Sequence, residues 1–193
     1  MAHRIEAICK YFAGRDLTGD EIKKITGKSA ILYSDLKNYT FNKLLKGAGD
    51  HQTILLQTKK VNEGHFVSVF ISPDDQYIYY FDSYGLGAPD TYKNYTPFDQ
   101  QLPDYLSNIL ASDPKKRPLI VNTEDYQSWG KVGGRQVSTC GRWSALRANL
   151  LALNNEEFSS MFRGNHGFLN RPDMVATMLT LWGLDDIQTF FNN

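Results

Sequence analysis

The spacing of apolar residues along the chain changes character near Asp50. Before it, the pattern is helical. "HRIEAICKYF" places apolar residues at 5, 8, 11 and 12, close to the repeat of one helix face. "DLTGDEIKKITG" predicts a second helix, with Thr18 as N-cap and Gly27 as stop. "SDLKNYTFNKLLKGAG" gives one or two further short turns ending at Gly47. Residues 1–50 therefore read as a helical lobe.

Beyond Asp50, "TILLQT" (53–58), "HFVSVFIS" (65–72) and "QYIYYFDS" (76–83) are β-branched and aromatic runs. The breaks between them, "NEG" and "PDD", predict antiparallel hairpins. "PFDQQLPDYLSNILAS" predicts a helix started or kinked by Pro103, and "PLIVNTEDY" (118–126) another strand. A Gly-containing loop, "SWGKVGG", leads to a helix beginning near Cys140. Its apolar positions 143, 146, 150, 151 and 153 extend it to about four turns. "RPDMVATMLTLW" predicts a last helix with Pro172 near its first turn.

Separate blocks of strands and helices, without repeats, predict an α+β fold. A mixed, mostly antiparallel sheet packs against the Cys140 helix, with additional N- and C-terminal helices. A single domain, 1–193, accommodates the lobe (1–50), a core (51–155) and the C-terminal helices (156–193).

Composition narrows the function. The 193 residues are 41% hydrophobic and 22% charged, the balance of a globular protein with a sizeable core. Basic and acidic residues number 21 each, so no global field draws the chain to nucleic acid or an anionic membrane. The one basic cluster, Lys115-Lys116-Arg117, reads as a solvated turn between Pro114 and Pro118. No segment approaches the ~20 apolar residues of a membrane span, and the N-terminus lacks the pattern of a signal peptide. Two cysteines, Cys9 and Cys140, make no disulfide framework, so a reducing, intracellular setting is expected. Four histidines without CxxC or HExxH predict no metal site, and no cofactor is expected.

The chemistry concentrates around "VSTCGRW". A thiolate is stabilised at a helix N-terminus by free N–H groups and the macrodipole. Cys140 stands there, behind the capping types Ser138 and Thr139 and before Gly141, which leaves the helix start open to a substrate. Taken alone, Cys140 reads equally as a buried core thiol. His65 follows Gly64 at the start of a strand, and Asp82 ends the next. If the two strands pair as a hairpin, His65 and Asp82 meet at one sheet edge, where a carboxylate orients an imidazole as general base. Singly, His65 reads as a strand-end histidine and Asp82 as a turn residue. Gln127 and Gln136 both precede Cys140 and are candidates for an oxyanion donor.

The order His65, Asp82, Gln, Cys140, carried by "GHF", "YYFDSYG" and "STCGRW", resembles the adenovirus-type and ubiquitin-like-protein-specific cysteine proteases. The likeness covers roughly residues 50–155. It implies His65 as general base, Asp82 as its orienting acid, Cys140 as nucleophile, and a glutamine as oxyanion donor. In such enzymes the glutamine usually closes the strand before the nucleophile's helix, which favours Gln127. It also usually lies within several residues of the cysteine, which favours Gln136. The reading adopted is Gln127, with "GKVGG" as an insertion. Phe66 stands where a tryptophan commonly follows the histidine. Gly64, Phe66 and Gly141 are the expected substrate-binding positions.

"TCGRW" and the compact length look most like maturation proteases of double-stranded DNA viruses, including large viruses and their virophages. The resemblance implies capsid or scaffold precursors as protein substrates, cut at glycine-containing sites. It places the protein in the host cytoplasm or virus factory and in the virion. The chain's own "VGG" (132–134) resembles such a site but reads as a turn. Adenovirus relatives use an activating peptide and DNA, for which zero net charge offers no support; the oligomeric state stays open. Three other readings compete. A papain-like order would pair Cys140 with His166, only 26 residues downstream in "RGNHGF". The same site fits a deubiquitinase or a protease of ubiquitin-like modifiers. The third is a non-enzymatic binding module with an inert cysteine.

Overall fold

Helix signals at the start of the chain fold as the pattern predicts. The computed structural model describes residues 2–183, except 59, 61, 165–168 and 170. Helix α1 (Ala2–Ala13) buries Cys9, Phe12 and Ala13. Helix α2 (Gly19–Thr26) starts with a full capping box between Thr18 and Glu21 and stops at Gly27, whose φ of 78° is left-handed. The lobe is not wholly helical, however. Ile31 and Leu32 form strand β1 (Ile31–Leu32), parallel to the strand beginning at His51. Two residues are too few to carry a period of their own. A 3-10 turn (Tyr33–Asn38) and helix α3 (Phe41–Leu44) complete the region.

The three apolar runs become β2 (His51–Gln57), β3 (Gly64–Ile71) and β4 (Ile78–Asp82), paired antiparallel in succession. Beyond the first residues of β2 and β3, all three strands are buried on both faces, which explains their nearly unbroken apolar character. One face, with Val67, Val69, Ile71, Ile78 and Tyr80, packs against Leu36, Phe41 and Leu44. Leu106 and Leu110 join that core from helix α4 (Tyr105–Ala111), which begins just after Pro103.

Strand β5 (Leu119–Val121) adds to β4 in parallel and closes the sheet, whose order is β1-β2-β3-β4-β5. The run to residue 126 was expected to be strand, but pairing stops at Val121. The side chain of Asn122 takes over instead: its Oδ1 accepts from Asp82 N (2.8 Å) and its Nδ2 donates to Asp82 O (2.6 Å).

The Gly-rich loop is also more ordered than expected. It is a hairpin of β6 (Lys131–Val132) and β7 (Arg135–Gln136), turned by Gly133 and Gly134 at φ of 59° and 81°. Two consecutive positive φ values suit the mirror-image turns of two-residue hairpins and favour glycine.

Helix α5 (Cys140–Asn149) is buried from Cys140 through Ala148. Its sheet-facing side packs Cys140 and Ala145 with Leu55 and Phe66, while Trp143 joins Phe81 and Phe158. The helix is shorter than the expected four turns. Arg147, fully buried, donates to the carbonyls of Leu150 and Leu153 (2.7 Å each), holding those residues in a turn. Helices α6 (Asn155–Ser160) and α7 (Pro172–Gly183) follow, and α7 packs against both α1 and α5.

Candidate active site

The register of the β3–β4 hairpin does the first positioning. Val67 lies opposite Asp82, so His65, two residues earlier, falls on the same face diagonally beside it. His65 Nε2 and Asp82 Oδ1 are 2.8 Å apart. The same carboxylate oxygen accepts from Tyr84 N at 2.8 Å. The other, Oδ2, is buried without a hydrogen-bond partner among the described residues.

Cys140 opens α5 with its Sγ 4.0 Å from the carbonyl oxygen of Gly64, the residue before His65. With Nε2 engaged by Asp82, Nδ1 is the imidazole nitrogen left for the sulfur. All three residues are buried: His65 is 3%, Asp82 0% and Cys140 6% exposed. Burial alone would disfavour the imidazolium. The charge and hydrogen bond of Asp82, and then those of Cys140, outweigh it and raise His65 to about 9. No side chain caps α5: the Thr139 hydroxyl is turned to donate to Asp173 and accepts from no N–H of the helix. Ser138 is likewise fixed elsewhere, its side chain bonded to Asp16 and its backbone N–H donating to Ala13 O at 2.8 Å. The capping expected of these two residues does not occur, and the helix start is left without a competing side-chain acceptor.

The two glutamines separate clearly. Gln127 is buried; its Oε1 accepts from Ser83 Oγ (3.0 Å), and its Nε2 donates to Tyr84 Oη (2.9 Å) and Val137 O (3.4 Å). It does not close β5 but sits on the loop beyond it, where Tyr126 N and Gln127 N both donate to Ser83 O. Gln136 is exposed on β7, and its Nε2 donates to Trp129 O at 2.8 Å.

The expected substrate-binding positions have packing roles. A β-carbon on Gly64 would come within 1.8 Å of Leu56 O, so β2 and β3 can approach there only at glycine. On Gly141 it would meet Phe66 Cδ2 at 3.1 Å and Leu17 Cβ at 3.2 Å, so its smallness seats α5 on the sheet. Phe66 itself is buried in that contact, and its carbonyl accepts from Ser144 Oγ at 3.0 Å.

No protein-family model matches the chain. It is similar to the uncharacterized protein V9 of Sputnik virophage, with 31% identity over 181 residues, covering 89% of this chain and 98% of the relative. The chain belongs to the family of that virophage protein. It is therefore grouped with viral proteins.

In this virophage-family chain the site also contains residues that sequence reasoning did not find. Tyr84 stacks on the His65 ring (centroids 4.9 Å), and Tyr92 lies 3.9 Å from it on a tilt. Burial first, and the nearby Cys140 next, push both phenols upward, so they stay protonated. The exposed Trp129 covers Tyr84 at 3.8 Å. Tyr84 was visible in "YYFDSYG", but nothing in the local pattern marks Tyr92, Asn122 or Asp173. His166 lies outside the described residues. Among the described residues, no group of three or more His, Cys, Asp or Glu side chains is placed to hold a metal ion, and no helix is long and apolar enough to cross a membrane.

Proposed function

We propose that this viral protein is a cysteine endopeptidase that processes capsid or scaffold precursors at glycine-containing sites in the infected cell and the virion. One observation carries the reading: a buried imidazole bonded to Asp82 through Nε2, with its other side coupled to Cys140 at the uncapped start of α5. A core thiol needs neither partner. Membership of a virophage family supports a viral precursor over a host modifier as substrate.

Cys140 Sγ, its proton passed to His65, attacks the scissile carbonyl carbon. The carbonyl electron pair moves onto oxygen, where one Gln127 N–H, released from Tyr84, and an N–H at the start of α5 receive the charge. Collapse breaks the C–N bond as His65 gives its proton to the departing amine, leaving a thioester. Water, deprotonated by His65, then hydrolyses the thioester, releasing the carboxylic acid and regenerating Cys140. Asp82 holds the ring throughout. The tyrosines against His65 leave little room for a bulky side chain at the scissile bond, which favours glycine there.

Co-expression with candidate capsid precursors should give cleaved precursor with the native protein and none with Cys140→Ala. Cleavage confined to a ubiquitin-like fusion would change the substrate and keep the chemistry. No Cys140-dependent cleavage of either would return the protein to a binding module.

A further inference from the structure

Asp173, in the first turn of α7, is 1% exposed and accepts three hydrogen bonds from residues far from it in sequence. The Thr139 hydroxyl and Trp143 Nε1 (3.0 Å) donate to its Oδ1, and the backbone N–H of Ser128 donates to its Oδ2 (3.0 Å). Thr139 directly precedes Cys140, and Ser128 directly follows Gln127. Between these two neighbours the chain leaves on the β6–β7 hairpin and returns. Within that segment the hairpin closes on itself, with Val137 N–H donating to Gly130 O at 3.1 Å and Gln127 Nε2 to Val137 O at 3.4 Å, while the immediate neighbours of Gln127 and Cys140 meet at Asp173. One carboxylate bridges the two ends.

We infer that Asp173 is a positioning residue that sets Gln127 against Cys140, so that the oxyanion donor and the nucleophile act on one carbonyl. This rests on the protease reading above. The requirement is chemical as well as geometric. Three buried donors converge, and a carboxylate offers acceptors on both oxygens with no N–H of its own to clash with them. In Asp173→Asn either Ser128 N–H or Trp143 Nε1 loses its acceptor, whichever way the amide turns; Thr139 can adapt, because its hydroxyl also accepts. Asp173→Ala frees all three.

The test compares two reactions of the same sulfur. Iodoacetamide alkylates Cys140 with no oxyanion, whereas acetylation by p-nitrophenyl acetate passes through one. In native protein acetylation should depend on Cys140, and Gln127→Ala should slow it while sparing alkylation. Asp173→Asn should lower acetylation about tenfold, since misplacement by ~1 Å costs up to ~10²-fold, and should leave alkylation within about twofold of native. Asp173→Ala, where it folds, should lose more. Combining Asp173→Asn with Gln127→Ala should add little to Gln127→Ala alone, because both remove one function. Asp173→Asn that lowers the melting temperature but keeps the native ratio of the two rates would overturn the inference, leaving Asp173 a structural residue. A native protein whose Cys140 is acetylated no faster than a free cysteine would instead overturn the protease reading on which the inference rests.

Discussion

Asp82 and Asn122 clasp each other: the Asp82 N–H donates to Asn122 Oδ1 at 2.8 Å, and Asn122 Nδ2 donates to the Asp82 carbonyl at 2.6 Å. The side chain thus completes the ladder at the residue that carries the carboxylate, just where β5 stops. Asn122→Ala takes the acceptor from the buried Asp82 N–H, while the Asp82 carbonyl keeps its bond from Gly85 N–H at 2.9 Å. The expected loss is about 1–3 kcal/mol of stability for the stranded N–H, together with reduced turnover as the carboxylate drifts from His65. Urea unfolding and peptide cleavage measure the two effects. A variant as stable and as active as native would show that the clasp positions nothing.

The imidazole makes the protein's stability depend on pH. Its folded value, about 9, is above the ordinary unfolded value of 6.5. Folding therefore binds the proton more tightly, and this stabilisation is fully present below pH 6.5 and lost as pH rises through 9. The upper bound is about 3 kcal/mol, from the size of that shift. Urea midpoints should fall between pH 6 and pH 9.5. Asp82→Asn, which removes the charge responsible, should flatten the slope. An equal slope in native and Asp82→Asn would rule out the His65–Asp82 pair as its source.

Gln127 and Gln136 make opposite predictions. Gln127→Ala removes a buried amide beside Tyr84 and Ser83, and turnover should fall about 10²–10³-fold, the usual cost of an oxyanion-hole donor. Gln136→Ala removes an exposed side chain tied to the Trp129 carbonyl and should stay close to native. Measured kcat should carry the difference, with KM little changed. The reverse ranking would move the donor to Gln136.

Residues that meet through local pairing were readable in the sequence. His65 and Asp82 belong to one hairpin, so strand runs and a break were enough to bring them together. Cys140 was marked by capping types and a helical pattern, although Thr139 and Ser138 turned out to bond elsewhere. Strand β1 escaped because two residues have no period, and the length of α5 because buried Arg147 binds the carbonyls that an amphipathic count assigns to helix. Asp173 and Asn122 were invisible for a different reason. The bonds by which they hold the site reach groups at least 30 positions away, and a buried Asp or Asn looks in sequence like any turn or cap residue.

The two cysteines provide a control within one molecule. Cys9, 1% exposed in α1, is pushed up to about 11 by burial, only partly countered by Arg142, so it stays a protonated thiol. Cys140 lies beside an imidazole that keeps its proton up to about pH 9. Iodoacetamide at pH 6, read by peptide mass spectrometry, should therefore modify Cys140 in the folded protein and leave Cys9 intact. His65→Ala removes the positive neighbour and should slow the reaction several-fold, without abolishing it, since the uncapped helix start remains. Cys140→Ala should fold normally, because the change removes one small atom from the edge of the core. Full denaturation should make both cysteines react alike, tying the selectivity to the fold. Modification of Cys140 at pH 6 no faster than that of a free thiol would mean that the imidazole and helix do not activate the sulfur, and Cys140 would then be a core thiol.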